Sequence, residues 1–211
     1  MLSERPVEVI LEAVDRFGSD RLALAASWQK ETAVLVDLVR RHAPEARIFT
    51  LDTGALFEET YATWRKVEER YGITVEVHQG PSLGRQASTH GDRLWERNPD
   101  ACCDLRKVQP LQRALADVDA WVSGVRREQG PSRAGTPKLA WDAKHERWKA
   151  NPLADWTEQD VWRYIVDHDL PYNQLHDRGY ASIGCTHRTR PGTNRDGRWA
   201  GTGKVECGLH A

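Results

Sequence analysis

Apolar residues along this chain fall into two patterns: short unbroken runs, and longer stretches in which they recur every three or four positions. Arg21-Leu22-Ala23-Leu24-Ala25-Ala26 is a run of the first kind and predicts a short buried strand. After Ser27, a helical pattern runs from about Lys30 to Arg41, with Val34, Leu35, Leu38 and Val39 on one side. Arg47 to Leu51 predicts a second strand, closed by Asp52-Thr53-Gly54. Phe57, Tyr61, Trp64, Val67 and Tyr71 follow at helical spacing and are expected in the core. Thr74 to Val77 reads as a third strand, Leu105 to Leu115 as helix, and Ala120 to Gly124 as a fourth strand. Lys138-Leu139-Ala140-Trp141 and its neighbours suit a short edge hairpin. Thr157 is placed to cap a helix through His168, with Glu158 and Asp160 near its positive end.

Strands separated by helices predict an α/β fold: a mostly parallel central sheet covered by helices on both faces. Such sheets bind ligands at the carboxyl ends of their strands. Ser27, Asp52 and Arg126 all follow predicted strand ends and are expected to converge on one crevice. From about Asp177 glycine, proline and arginine accumulate and the periodicity fades. Residues 1–176 therefore read as the α/β domain, and 177–211 as an arginine-rich loop and mobile tail of that same domain. There is no internal repeat.

A chain of 211 residues suits one such domain with a sizeable core. No apolar run approaches a membrane span, and Met1 to Pro6 lack signal-peptide character. A cytoplasmic location with no membrane partner is expected. The net charge of −1 gives no case for nucleic acid. Charge is nevertheless uneven: Arg188, Arg190, Arg195, Arg198 and Lys204 face only Asp196 and Glu206 over the last stretch. A basic segment leading into Cys207 suits an anionic ligand near that thiol, or else a solvated loop.

The turn Ala26 to Thr32 lies between strand and helix, where backbone N–H groups favour phosphate. It lacks the GxxxxGK[ST] pattern, and an ordinary turn explains it as well. Gly124-Val125-Arg126-Arg127-Glu128-Gln129-Gly130-Pro131-Ser132-Arg133 is a stronger oxyanion candidate, since guanidinium pairs bidentately with phosphate or sulfate. Cys102-Cys103-Asp104-Leu105-Arg106-Lys107 opens a helix, and with the distant Cys185 it resembles part of a metal or iron–sulfur site. A buried, inert pair is the alternative. In a reducing compartment a disulfide framework is not expected from these four cysteines. Cys207 lies in Glu206-Cys207-Gly208-Leu209-His210, where His210 can polarise a thiol or a leaving group.

Taken in order, these segments resemble the assimilatory phosphosulfate reductases, thioredoxin-dependent enzymes that reduce adenosine 5′-phosphosulfate, or its 3′-phosphorylated form, to sulfite. The resemblance rests on Ala26 to Thr32, Leu51-Asp52-Thr53-Gly54, Cys102 to Lys107, Arg126-Arg127-Glu128-Gln129, Asn151-Pro152-Leu153, Tyr180 to His187, and Glu206 to His210. It implies an adenine nucleotide α-hydrolase-like fold and a nucleophilic Cys207 that takes the sulfonate and expels AMP. Thioredoxin or glutaredoxin would then release sulfite. Carried over, Cys207, His210 and Lys107 are the catalytic candidates. Ser27, Asp52, Thr53, Gly54, Arg126, Arg127, Arg195 and Arg198 are the substrate-binding candidates. Relatives with the cysteine pair and a later C-x-x-C hold a [4Fe-4S] cluster and generally prefer the substrate without the 3′-phosphate. Here Cys102, Cys103 and Cys185 are present, but the fourth position reads Arg188, which offers iron no lone pair.

Three arrangements remain open: a cluster on three cysteines, with water, substrate or His187 at the fourth iron; a labile or three-iron cluster; or loss of the cluster, with Arg188 supplying positive charge. The surrounding residues favour the 5′-phosphosulfate. The rivals are a cluster-free reductase of the 3′-phosphorylated substrate, a nucleotide- or metal-binding protein without turnover, and a zinc site on Cys102, Cys103, Cys185 and His187. The oligomeric state is open, a homo-oligomer included.

Overall fold

The computed structural model describes residues 5–199, 204 and 206–210. In chain order its elements are α1 (Arg5–Phe17), β1 (Leu22–Ala26), α2 (Lys30–His42), β2 (Arg47–Asp52), α3 (Glu58–Tyr71), β3 (Glu76–Gln79) and α4 (Leu83–His90). There follow α5 (Leu94–Arg97), α6 (Pro99–Cys103), a π-helical segment Asp104–Val108, and α7 (Gln109–Ala114). The chain continues through β4 (Ala120–Val122), β5 (Leu139–Asp142), β6 (Arg147–Ala150) and α8 (Glu158–Asp167). α1 and α4 to α6 are not among the expected elements; α1 is nonetheless amphipathic, burying Val9, Ile10 and Ala13 along one face.

The six strands form one sheet in the order β3-β2-β1-β4-β6-β5. All neighbours are parallel except β5 and β6, which form the expected antiparallel hairpin, with Leu139 opposite Ala150 and Asp142 opposite Arg147. Alternation along each strand divides the core between two faces. Leu22, Leu24, Ile48, Ala120 and Val122 pack with α1, α2 and α8. Ala23, Phe49 and Trp121 point the other way, against Leu111, Ala114 and Leu115 of α7 and its end. Helices thus cover both faces, as expected of a parallel sheet.

Two elements differ from expectation. The third strand lies two residues later, because Arg47 on β2 clasps Glu76 through Nε–Oε1 at 2.8 Å and pairs the strands from Phe49↔Glu76 to Asp52↔Gln79. The helix expected from Leu105 begins instead as a π segment. Pro110 has no N–H to give the Arg106 carbonyl, so the ladder changes register there. Gly80 makes room for this segment: a Cβ at Gly80 would lie 2.3 Å from the Leu105 carbonyl oxygen. The chain runs from β1 to one side of the sheet and later returns to β4 on the other. A crevice therefore opens above the carboxyl ends of β1 and β4.

Gly80→Ala forces backbone against backbone. It is expected to lower stability by about 1–3 kcal/mol or more, read as a fall in the urea midpoint. A midpoint like that of the parent chain would refute the close-approach account.

Candidate active site

The crevice is a cleft of about 970 Å³. Ala26 and Ser27 at the end of β1, Thr50 and Thr53 at the end of β2, and Ser123 to Val125 after β4 form its floor. Lys107, Arg133, Arg195 and Arg198 line its sides together with Cys207, Leu209 and His210. The tertiary structure thus gathers Ser27, Thr53, Lys107, Arg195, Arg198, Cys207 and His210 on one cleft.

Four other candidates are held elsewhere. Asp52 is buried, and its carboxylate accepts from Gly54 N, Tyr61 Oη and Gln79 Nε2, each at 2.8 Å. It braces the left-handed turn at Gly54 (φ +65°), and neither residue lines the cleft. Arg126 is buried against Glu31 at 2.9 Å and pairs with Glu128. Arg127 turns away to the Thr136 carbonyl and Asp155. In the β1–α2 turn the amides of Ser27 and Trp28 both donate to Thr32 Oγ1, and that of Lys30 to His176 Nε2. These N–H groups already have acceptors, so the turn is a braced βα connection and not a phosphate cradle. Gln29 on this turn accepts from Ser182 Oγ and Ile183 N, and so fastens the 182–184 loop beneath Arg198. Arg198 in turn donates to Ser182 Oγ and the Ile183 carbonyl.

The tail is expected to be mobile, yet its described residues are docked. Arg133 grips Glu206 with two bonds of 2.8 and 2.9 Å, and Arg195 adds a third at 2.9 Å. Lys144 donates to the Gly208 carbonyl and His145 to that of Leu209. Leu209 packs on the sheet face formed by Trp121 and Phe49. His210 stacks on Trp121 with ring centroids 5.7 Å apart, and its Nδ1 lies 3.1 Å from Lys149 Nζ. An ammonium there donates to Nδ1, which leaves the imidazole proton on Nε2.

The electrostatics follow from crowding cations at a poorly solvated site. Burial would raise the Cys207 thiol, but Lys107, Arg198 and the Leu209 N–H bring its pKa below the ordinary value. Burial, reinforced by Arg133, brings Lys149 down to about 8. Burial and Arg133 take Arg195 to about 10. Burial, with Lys149 beside it, holds His210 well below the usual imidazole range, so it is neutral at pH 7. Lys149 and Trp121 are the participants that sequence reasoning missed. Arg133 lies in a loop already suspected of binding oxyanions. Lys149 reaches the site because β4 and β6 pair Trp121 with Lys149, a register that no local signal reveals.

Cys102, Cys103 and Cys185 line a smaller neighbouring cavity with His187 and Arg188. As a metal site they fall short. Arg188 donates to the Trp95 carbonyl at 3.0 Å, and His187 stacks on the Trp95 ring at 4.0 Å. Cys185 gives its S–H to Thr53 Oγ1. Among the described residues no three of His, Cys, Asp and Glu converge as metal ligands do. Neither a four-thiolate cluster nor the Cys102-Cys103-Cys185-His187 zinc set fits these side chains.

The family described as the phosphoadenosine phosphosulfate reductase domain matches residues 21–191. An adenosine 5′-phosphosulfate reductase of Bacillus velezensis is 48% identical over 211 aligned residues, spanning 97% of this chain and 90% of its own. The crystal structure of phosphoadenylyl-sulfate reductase from Candida auris, in complex with phosphate, is 33% identical, with a TM-score of 0.77 over 88% of this chain and 90% of that one. An FMN adenylyltransferase of Candida glabrata solved with ATP shares the fold alone: it is 14% identical, with a TM-score of 0.66 over 90% of this chain and 62% of that one. The chain belongs to the phosphoadenosine phosphosulfate reductase family.

Two outcomes follow. Burial would raise the Glu206 carboxyl, but Arg133 and Arg195 hold it below its ordinary value. A depressed folded-state pKa stabilises docking above the unfolded value, and that stability is lost as pH falls through the folded one. Hydrogen exchange of the C-terminal peptide, corrected for intrinsic rates, is expected to show protection at pH 7 that fades towards pH 3; flat protection would contradict the clasp. Arg188→Cys restores a fourth thiol, so iron content and visible absorbance after anaerobic purification are expected to rise well above those of the parent chain. Equal iron in both would contradict the donor-set argument.

Proposed function

We propose that this chain reduces adenosine 5′-phosphosulfate to sulfite and AMP in sulfate assimilation. The observation that carries this reading is Cys207, a thiol of lowered pKa in a cleft at the sheet's switch point, with Lys107 and Arg198 beside it. Lys107 has no carboxylate pairing with it among the described residues; burial would lower its pKa, but negative charge on the sulfurs around it, Cys185 and Cys207 first, raises it above the ordinary value. The nucleotide enters over Ser27, Thr53 and the strand ends. Lys107, Arg195 and Arg198 receive its phosphosulfate. Cys207 Sγ attacks the sulfate sulfur, and the bond to the AMP phosphate oxygen breaks. Lys107 and Arg198 stabilise the charge that develops on the departing phosphate. His210, neutral with its proton on Nε2, offers one donor to the same anion.

The product is an S-sulfonate on Cys207, and a thioredoxin or glutaredoxin supplies the electrons that free its sulfite. The loop and tail of 177–211 serve the domain of 1–176 by carrying the nucleophile in and out. Docking through Glu206 occupies Arg133 and Arg195, so tail docking and substrate binding draw on the same guanidinium groups. Free thiols at all four cysteines suit a reducing compartment, the cytoplasm. No described helix is long and apolar enough to cross a membrane.

Cys207→Ser is expected to abolish sulfite release while leaving nucleotide affinity within about tenfold. Lys107→Ala should cost roughly 10²–10³ in kcat/KM. Sulfite assayed in single turnovers, with the 3′-phosphorylated nucleotide as competitor, checks both the residues and the substrate. Full activity in Cys207→Ser would sink the mechanism.

A further inference from the structure

We infer that Cys103 is a resolving thiol: it attacks the S-sulfonate of Cys207, expels sulfite and leaves a Cys103–Cys207 disulfide for an external dithiol protein to reduce. This rests on the S-sulfonate reading above.

Cys103 ends α6, and Cys207 lies on the docked tail, far away in sequence. In the fold the two side chains belong to one small apolar cluster completed by Trp199, with Cys103 9% and Cys207 7% exposed. Lys107 and Arg198 line both cavities, so they form the partition between them; Cys207 faces the substrate cleft and Cys103 the smaller chamber. The other thiols are placed less well. Cys102 is outside the Trp199 cluster, and Cys185 donates to Thr53 at 3.4 Å. A Cys103 bound to iron would be held by the metal and less nucleophilic. In this chain Arg188 leaves the ligand set one thiol short, and Cys103 forms no disulfide.

The step balances. Cys103 Sγ bonds to Cys207 Sγ, and the Cys207 Sγ–sulfonate bond breaks. Sulfite leaves with the bonding pair and takes up the proton that Cys103 loses. Two thiol sulfurs are oxidised to a disulfide, and the sulfonate sulfur is reduced from the sulfate to the sulfite level. A dithiol protein of the thioredoxin class then reduces the disulfide by exchange and becomes a disulfide itself. An attacking thiol in the same side-chain cluster as its target gains the large effective molarity of an intramolecular reaction. Sulfite is then released before any reductant docks, and the reductant meets an ordinary protein disulfide.

The test is a single turnover under anaerobic conditions, with protein reduced beforehand, freed of external thiol and mixed with adenosine 5′-phosphosulfate. The parent chain is expected to give AMP and about one sulfite per chain, and non-reducing mass spectrometry should find the Cys103 and Cys207 peptides joined. Cys103→Ser should give AMP but retain the sulfonate on Cys207 until thioredoxin and its reducing system are added. Cys185→Ser, at whatever rate it forms AMP, should still release about one sulfite per AMP. The inference is overturned if the parent chain forms AMP yet stops at a stable S-sulfonate, if Cys103→Ser releases sulfite at the parent rate, or if Cys185→Ser is the variant that traps the adduct. Absence of AMP from the parent chain would remove the S-sulfonate reading itself, and this inference with it.

Discussion

Four cations must be held against one another around a single thiol, and much of the site answers that constraint. Lys107, Arg133, Arg195 and Arg198 line one poorly solvated cleft, where like charges repel and burial disfavours each of them. The fold manages the repulsion by distributing partners. Glu206 lies between Arg133 and Arg195, and the Ser182–Ile183 loop receives Arg198. Lys107 is left facing sulfur. The residual strain shows in Lys149 and Arg195, both brought down from their ordinary values, and in the neutral imidazole of His210. A dianionic phosphosulfate relieves this repulsion, which is a physical reason for such a cleft to bind it.

The same constraint explains the tail. Glu206 is an internal anion in a site built for an external one, so docking and substrate binding draw on the same guanidinium groups. The tail combines a carboxylate that clasps, a leucine that packs on the sheet face and a histidine that stacks on Trp121. Each contact is modest, and together they bring Cys207 to the strand ends and beside Cys103. A segment expected to be mobile is therefore held in place at its described residues.

Much of the fold was legible because parallel strands buried on both faces read as apolar runs, and amphipathic helices read at their own period. The hairpin, the Thr157 cap and the order of β and α elements were visible in this way. The π segment was not, since it arises from Pro110 meeting a helix already pinned to Gly80. Site residues divided by the same logic. Ser27, Thr53, Lys107, Arg195, Arg198, Cys207 and His210 were legible from motif and charge, and the fold brings them together. Asp52, Gly54, Arg126 and Arg127 carried the same signals yet serve turns and ion pairs, because partners such as Tyr61, Gln79, Glu31 and Asp155 reach them first.

By itself the sequence determined the class of fold, the candidate nucleophile and the positive charge near it, since periodicity, the Glu-Cys-Gly-Leu-His segment and clustered arginines are all local facts. It also determined that one thiol is missing at Arg188. Only the tertiary structure decided which arginines face the cleft, that Lys149 stands beside His210, and that Cys103 and Cys207 meet at Trp199. Those are consequences of strand register and of a docked tail, which join residues dozens of positions apart, and no local pattern records such distances.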